Sequence, residues 1–206
     1  MRVKRELRWT VDDASVHVVV DPLPQPETLS HAERKRARRF VHAVDRRRYV
    51  ARRSELRRAL GAVTGSNPET LDIRSDTRGK PFIADRSVWF SLSSVDNVVA
   101  VAISRTGDVG VDIVRCSFGM YDEQTARVVM HPHELEAIRN SDDPDLAFAR
   151  LWARNEAVAK LDGTGLDDHT KDIDLSDGAH HPKATITDLE GPGGLVIAVA
   201  VANLSG

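Results

Sequence analysis

The hydrophobic pattern of the chain changes period several times, and the order of those changes limits the folds open to it. Residues 14–20, ASVHVVV, read as a strand that stops at Asp21-Pro22, and residues 22–27 as a proline-rich connection. Helical patterns follow. Ser30 is placed to cap a helix over LSHAERKRARRFVHAV, and Asp45 to cap a second over DRRRYVARRSELRRALGAV. In the second, Tyr49, Val50, Leu56, Leu60 and Val63 share one face, with arginines on the others. Four short strands come next, at 71–76, 88–93, 97–104 and 108–114, separated by turn-forming residues such as Arg78-Gly79-Lys80-Pro81 and Thr106-Gly107-Asp108. Helices return at 121–130, 133–140 and 144–161, and the polar stretch 162–182 reads as an irregular loop or lid. Two strands, 183–189 and 194–204, end the pattern, the second apolar enough to be central. This order predicts an α+β fold of two similar α/β halves, residues 1–104 and 105–206. No internal sequence repeat accompanies it.

Composition narrows the function classes. The formal net charge of −2 is not that of a globally basic nucleic-acid binder. Cys116 is the only cysteine, so an internal disulfide is impossible and no oxidising compartment is implied. The first 20 residues lack the apolar core of a signal peptide, and no apolar run approaches the roughly 20 residues that span a bilayer. The expectation is a cytoplasmic protein that binds neither nucleic acid nor membrane.

A few residues could carry chemistry. Asp112 lies inside the apolar run VGVDIV, where a carboxylate is costly unless paired or bound to a cation. It could equally cap a turn at a strand end. Trp152, Glu156 and Lys160 recur every four residues along one helix stripe. That spacing also suits a surface Glu–Lys pair beside a core tryptophan, but the alanines and valines around it suggest a buried helix. Lys80 stands on a tight turn before a strand. Arginines between 34 and 58 are mostly read as solvated, with a few able to converge on a phosphate. His131-Pro132-His133-Glu134 reads as a helix start, because structural zinc needs four ligands and no matching partners are visible. His180-His181 is expected in solvent.

Taken in order, LSHAERKRARRF, Asp45, Arg48, RGKPFI, FSLSS, VGVDIV and LWARNEAVAKLDGTGL resemble the 4'-phosphopantetheinyl transferase superfamily. The likeness is to its larger, two-half type. It implies halves related by a pseudo-two-fold axis, with a ligand cleft between them, in a monomer. It also implies transfer of phosphopantetheine from coenzyme A to a serine of an apo acyl or peptidyl carrier protein, with Mg²⁺. The carriers of fatty-acid, polyketide and peptide synthesis all qualify. Carried over by residue, Asp112 and Glu156 are the metal ligands, and Glu156, Lys160 and Asp112 the catalytic set. Arg36, Arg48, Lys80, Pro81, Ser93, Ser94 and Lys160 bind coenzyme A, and Gly163 and Gly165 shape the floor of the site. Three positions depart from the pattern. Val114 replaces an acid, Ser94 a histidine and Asn155 a lysine, each removing a charge from the expected site. The alternative they raise is a weakened or inactive homologue that binds coenzyme A or a carrier.

Overall fold

The computed structural model describes residues 5–165, 171–176 and 181–203. The chain begins with β1 (Arg5–Val11) and β2 (Ala14–Val20), then α1 (His31–Ala37) and α2 (Ala43–Thr64). A small hairpin, β3 (Ile73–Ser75) and β4 (Pro81–Ile83), precedes β5 (Trp89–Val95) and β6 (Val98–Ser104). The second part runs β7 (Val109–Arg115), α3 (Glu123–Val129), α4 (Pro132–Arg139), α5 (Pro144–Asp162), β8 (Ala184–Glu190) and β9 (Leu195–Ala202). Two antiparallel sheets result, ordered β1-β2-β6-β5 and β7-β9-β8. Without β1 and the β3–β4 hairpin, each part is a strand, its helices and two more strands. In both, the last strand pairs between the other two: β2-β6-β5 and β7-β9-β8. The two-half expectation is therefore realised in topology, although the sequence carries no repeat.

Apolar content decides which strand is central. All of β6 is buried, as are the first seven residues of β9. A strand that is apolar on both faces is covered on both. β8, with alternating exposure, takes an edge. β1 was not expected. It is an edge strand whose Arg5, Glu6 and Arg8 mask the alternation, joined to β2 through Asp12 at φ 50°.

The helices differ from expectation at their ends. Ser30 caps α1 in a reciprocal box with Glu33, but the helix stops at Ala37. Phe40 beyond it stacks on Tyr49, with ring centroids 5.2 Å apart. α2 starts at Ala43 after His42, and Asp45 lies within the first turn, where its charge suits the helix dipole. Two arginines of α2 are structural and not solvated. Arg53 and Arg57 each donate to the Glu33 carboxylate at 2.5 Å, and Arg57 also reaches the carbonyls of Pro68, Glu69 and Leu71.

The two sheets meet along β5 and β7, which run in the same direction. Val111 N–H donates to Ser91 Oγ at 3.1 Å, and Ile113 N–H to Ser93 Oγ at 3.4 Å. Hydroxyls of one strand thus satisfy amides of the other. α5 covers the opposite flank of β7 with Ala149, Ala153 and Ala157, all fully buried. The approach is so close that a Cβ on Gly110 would lie 1.8 Å from the Ala157 carbonyl oxygen.

Behind α5 lies a second buried polar knot. Glu134 of α4 is fully buried and accepts from His131 N–H, Asn155 Nδ2 and Leu175 N–H. Asn155 therefore points away from the site expected for it, and its exchange for lysine's usual place removes no cation there. His181, expected in solvent, is buried, and its Nδ1 accepts from Lys183 N–H. Leu166 and His180 lie outside the described residues.

Two outcomes follow for stability. Gly110→Ala should cost about 3 kcal/mol or more, the upper range of core overpacking, measured by denaturant unfolding. Glu134 has its pKa raised above the usual 4.5, chiefly by burial, against the hydrogen bonds that favour its charge. A raised carboxyl pKa means the folded state holds the proton more tightly, so this group's stabilisation is complete below 4.5 and is lost as pH rises through the folded pKa. Glu134→Gln should flatten that slope. It should also cost about 1–3 kcal/mol at low pH, because an amide donor then faces the donors around it, and less as pH rises.

Candidate active site

Asp112 is the fixed point of the seam. Its side chain lies on the α5 flank of β7, the flank that Gly110 leaves open, and it is 6% exposed. Oδ1 accepts from Ser93 Oγ at 2.7 Å and from Lys160 Nζ at 2.5 Å. Lys160 Nζ also approaches the Val111 carbonyl at 3.4 Å. Glu156, one turn earlier on α5, is half-buried. Burial pushes its pKa up, the Lys160 ammonium pulls it down, and the Asp112 charge pushes it up again. The two acids and the lysine therefore share one electrostatic site, the grouping that the family resemblance implied. Trp152 continues the stripe into the core and packs on Phe148, centroids 5.7 Å apart. Val114 is buried in the apolar cluster beneath α3 and α5 and brings no charge.

The expected phosphate ligands fall into separate groups around this centre. Ser94 and Arg48 line a cavity of about 850 Å³ together with Asp45, Tyr49, Arg52 and Asn97. Arg52 is half-buried on its wall, and its Nε makes no hydrogen bond. Burial lowers the pKa of its guanidinium, and Arg53 adds to the effect. A half-buried cation whose Nε has no hydrogen-bond partner among the described residues, at a cavity wall, is suited to an anion. The sequence did not separate Arg52 from the other arginines of α2; only its burial does. Arg36 lines a different depression with Lys35, Arg39 and Phe40, and its guanidinium stands 5.6 Å from the Tyr49 ring centroid.

Lys80 and Pro81 line a third cavity, of about 610 Å³, with Asp76, Phe82, Trp89 and Asp108. Lys80 Nζ is engaged by Asp108 and by the Leu161 carbonyl, which ties the β3–β4 hairpin to the C-terminal end of α5. Gly163 caps that end in the left-handed conformation, φ 70°, and packs against the Lys80 methylenes. Gly165 is also left-handed, φ 73°. The structure thus joins Asp112, Lys160 and Ser93 by hydrogen bonds, with Glu156 coupled to them electrostatically, places Ser94 and Arg48 on one cavity with Arg36 beside it across Phe40 and Tyr49, and sets Lys80 and Pro81 on another.

Comparison with known proteins points to one family. Residues 22–111 match a family model described as 4'-phosphopantetheinyl transferase, N-terminal, and residues 108–197 one described as the 4'-phosphopantetheinyl transferase superfamily. The chain is similar to the 4'-phosphopantetheinyl transferase HetI of Nostoc sp., 33% identical over 73% of this chain and 70% of that protein. It is similar to the 4'-phosphopantetheinyl transferase of Bacillus subtilis, 27% identical over 75% of this chain and 74% of the relative. It also resembles the 4'-phosphopantetheinyl transferase AcpT of Salmonella typhimurium, 34% identical over 58% of this chain and 60% of AcpT. With two matched halves that meet where β7 begins, the chain belongs to the 4'-phosphopantetheinyl transferase superfamily.

Proposed function

We propose that this protein transfers the 4'-phosphopantetheine group of coenzyme A to a serine of an apo acyl or peptidyl carrier protein, releasing 3',5'-ADP. The observation that carries the reading is the Asp112–Lys160 pair at the β5–β7 seam, with the half-buried Glu156 electrostatically coupled to both. The donor set suits Mg²⁺. Asp112 and Glu156 offer two carboxylates from two elements, and this ion is usually held by one or two carboxylates with substrate phosphates and water. Those residues would hold the ion, which supplies positive charge against the diphosphate and the departing ADP.

The residues of the chain account for the remaining steps. Ser93 and Lys160 fix the Asp112 carboxylate, so it needs no reorientation when substrate arrives. Glu156, directly or through water, takes the proton of the carrier serine as that oxygen bonds to the phosphorus nearer pantetheine. The bond from this phosphorus to the ADP oxygen breaks. Its raised pKa makes Glu156 a better base than an exposed carboxylate. Arg48, Arg52 and Ser94 are assigned to coenzyme A phosphate, with Arg36, Lys80 and Pro81 as outer contacts. Residues 1–104 then form the phosphate-binding side and 105–206 the metal and carrier side.

A second reading, binding of coenzyme A or a carrier without transfer, is favoured by Val114 and Ser94, which lack the charge the family pattern places there. One assay separates the two. The protein, coenzyme A and Mg²⁺ are incubated with several apo carriers, and each carrier is weighed. Transfer adds one phosphopantetheine; coenzyme A binding by calorimetry with every carrier unmodified supports the second reading.

Asp112→Asn and Glu156→Gln should each lower the rate by about 100-fold or more while the protein stays folded. An unchanged rate in either variant overturns the ligand assignment. Arg52→Ala should raise KM for coenzyme A about tenfold and leave kcat within a few-fold, the signature of lost ground-state binding.

A further inference from the structure

The start of α4 brings together three groups that the transfer reaction does not use. His131 is the N-cap of α4 and His133 its second residue. Asp174, some 40 positions later in the sequence, lies against both. Its Oδ2 is 2.9 Å from His133 Nδ1 and 4.0 Å from His131 Nδ1. Ligand atoms of all three residues lie within 4.8 Å of one another, the only such trio of His, Cys, Asp or Glu among the described residues.

We propose that His131, His133 and Asp174 bind a transition-metal dication of the zinc type. Two imidazoles and one carboxylate match the ligand preference of that ion, and three protein ligands leave a fourth position for water. Around an ion held at about 2.0–2.1 Å, neighbouring tetrahedral ligands stand about 3.4 Å apart. The distances of 2.9 and 4.0 Å bracket that value, and because His131 Nδ1 accepts the capping hydrogen bond from His133 N–H at 3.2 Å, His131 would bind the ion either through its other ring nitrogen or by giving up that bond.

The supports are already in place. The His131 and His133 rings meet edge to face, centroids 4.9 Å apart. The His131 backbone N–H is held by Glu134 at 2.9 Å, and Glu134 also holds the amide of Leu175, next to Asp174. Asp174 itself is braced by the amide of Ser176 at 2.9 Å. Both sides of the site are thus anchored to the same buried carboxylate. The N-terminal end of a helix disfavours a cation, and here the charges of Asp174 and Glu134 oppose that cost. His133 is exposed, which leaves an approach for the ion. A bound ion would clamp residues 171–176 to α4.

The site is independent of Asp112 and Glu156, and its test contains no carrier and no coenzyme A. Zn²⁺ is titrated calorimetrically into the chelator-treated full chain in Mg²⁺-free buffer, and Co²⁺ is added in parallel for its absorption spectrum. One Zn²⁺ per chain is expected, with a higher Tm and the intense visible bands of four-coordinate Co²⁺. His133→Gln and Asp174→Asn should each weaken binding about tenfold or more, with circular dichroism unchanged. Asp112→Asn should leave the visible Co²⁺ bands as they are in the unaltered chain, and the His133→Gln/Asp174→Asn double variant should lose them. Absence of binding, or equal affinity in the His133→Gln/Asp174→Asn double variant, overturns the proposal whatever the outcome of the transfer assay.

Discussion

A carboxylate on a strand in the middle of a fold is costly by several kcal/mol unless its charge is met. At Asp112 the charge is met from both halves of the chain. Ser93 donates from β5 and Lys160 from α5, each to the same oxygen. Ser93 Oγ also receives the amide of Ile113, so a single hydroxyl joins the two sheets and orients the acid. The remaining parts of the site are positioned by this junction. β5 fixes Ser94 beyond Ser93, and α5 fixes Glu156 one turn before Lys160. Loss of the seam would remove the partner of a buried charge as well as the contact between the sheets.

Such a junction requires α5 to come very near β7. Gly110 and Ala157 make that possible, since their small size lets backbone approach backbone. The alanines along α5 are then the condition for bringing Glu156 and Lys160 to Asp112. Depth has a second consequence. Burial raises the pKa of Glu156, and Lys160 keeps it from rising further. The same helix that delivers the acid thus also tunes it. On its far side, Asn155 satisfies Glu134, so α5 serves two polar centres from opposite faces.

Much of this was legible in the sequence where the pattern was local. The alternation of VWFSLS and NVVAVAIS, the Ser30 cap and the Glu156–Lys160 spacing each report on neighbours a few positions away. The element order was read from them, whereas the grouping of Asp112 with Glu156 and Lys160 came from the family resemblance. What was missed depends on distant partners. β1 is disguised by charge, because an edge strand tolerates arginine and glutamate on its open face. Arg52 and Arg57 look like any other arginine of α2, and only the fold buries them. Asn155 was placed at the site by the family resemblance, but one residue on a helix turns about 100°, and it faces Glu134. His131 and His133 lacked a visible third ligand, because Asp174 joins them only through the path of the chain after α5.

The change at Val114 can be argued on the same physical terms. Val114 is on the same face of β7 as Asp112 and is buried among Ala126, Met130 and Val158. An acid there would need its own counter-charge, and Lys160 is already committed to Asp112. Asn155, the other polar group nearby on α5, is committed to Glu134. In this chain the apolar choice at 114 is therefore consistent with its surroundings, since one lysine and one serine match one buried carboxylate. In the proposed reaction the negative charge then comes from two protein acids and the diphosphate, and the centre does not need a third acid. Ser94 is a different case. It is exposed at a cavity whose wall already carries Arg52, its Nε without a hydrogen-bond partner among the described residues. In the proposed reaction, Arg52 of α2 would supply the positive charge missing from position 94, its partial burial strengthening its attraction for an anion relative to a solvated side chain.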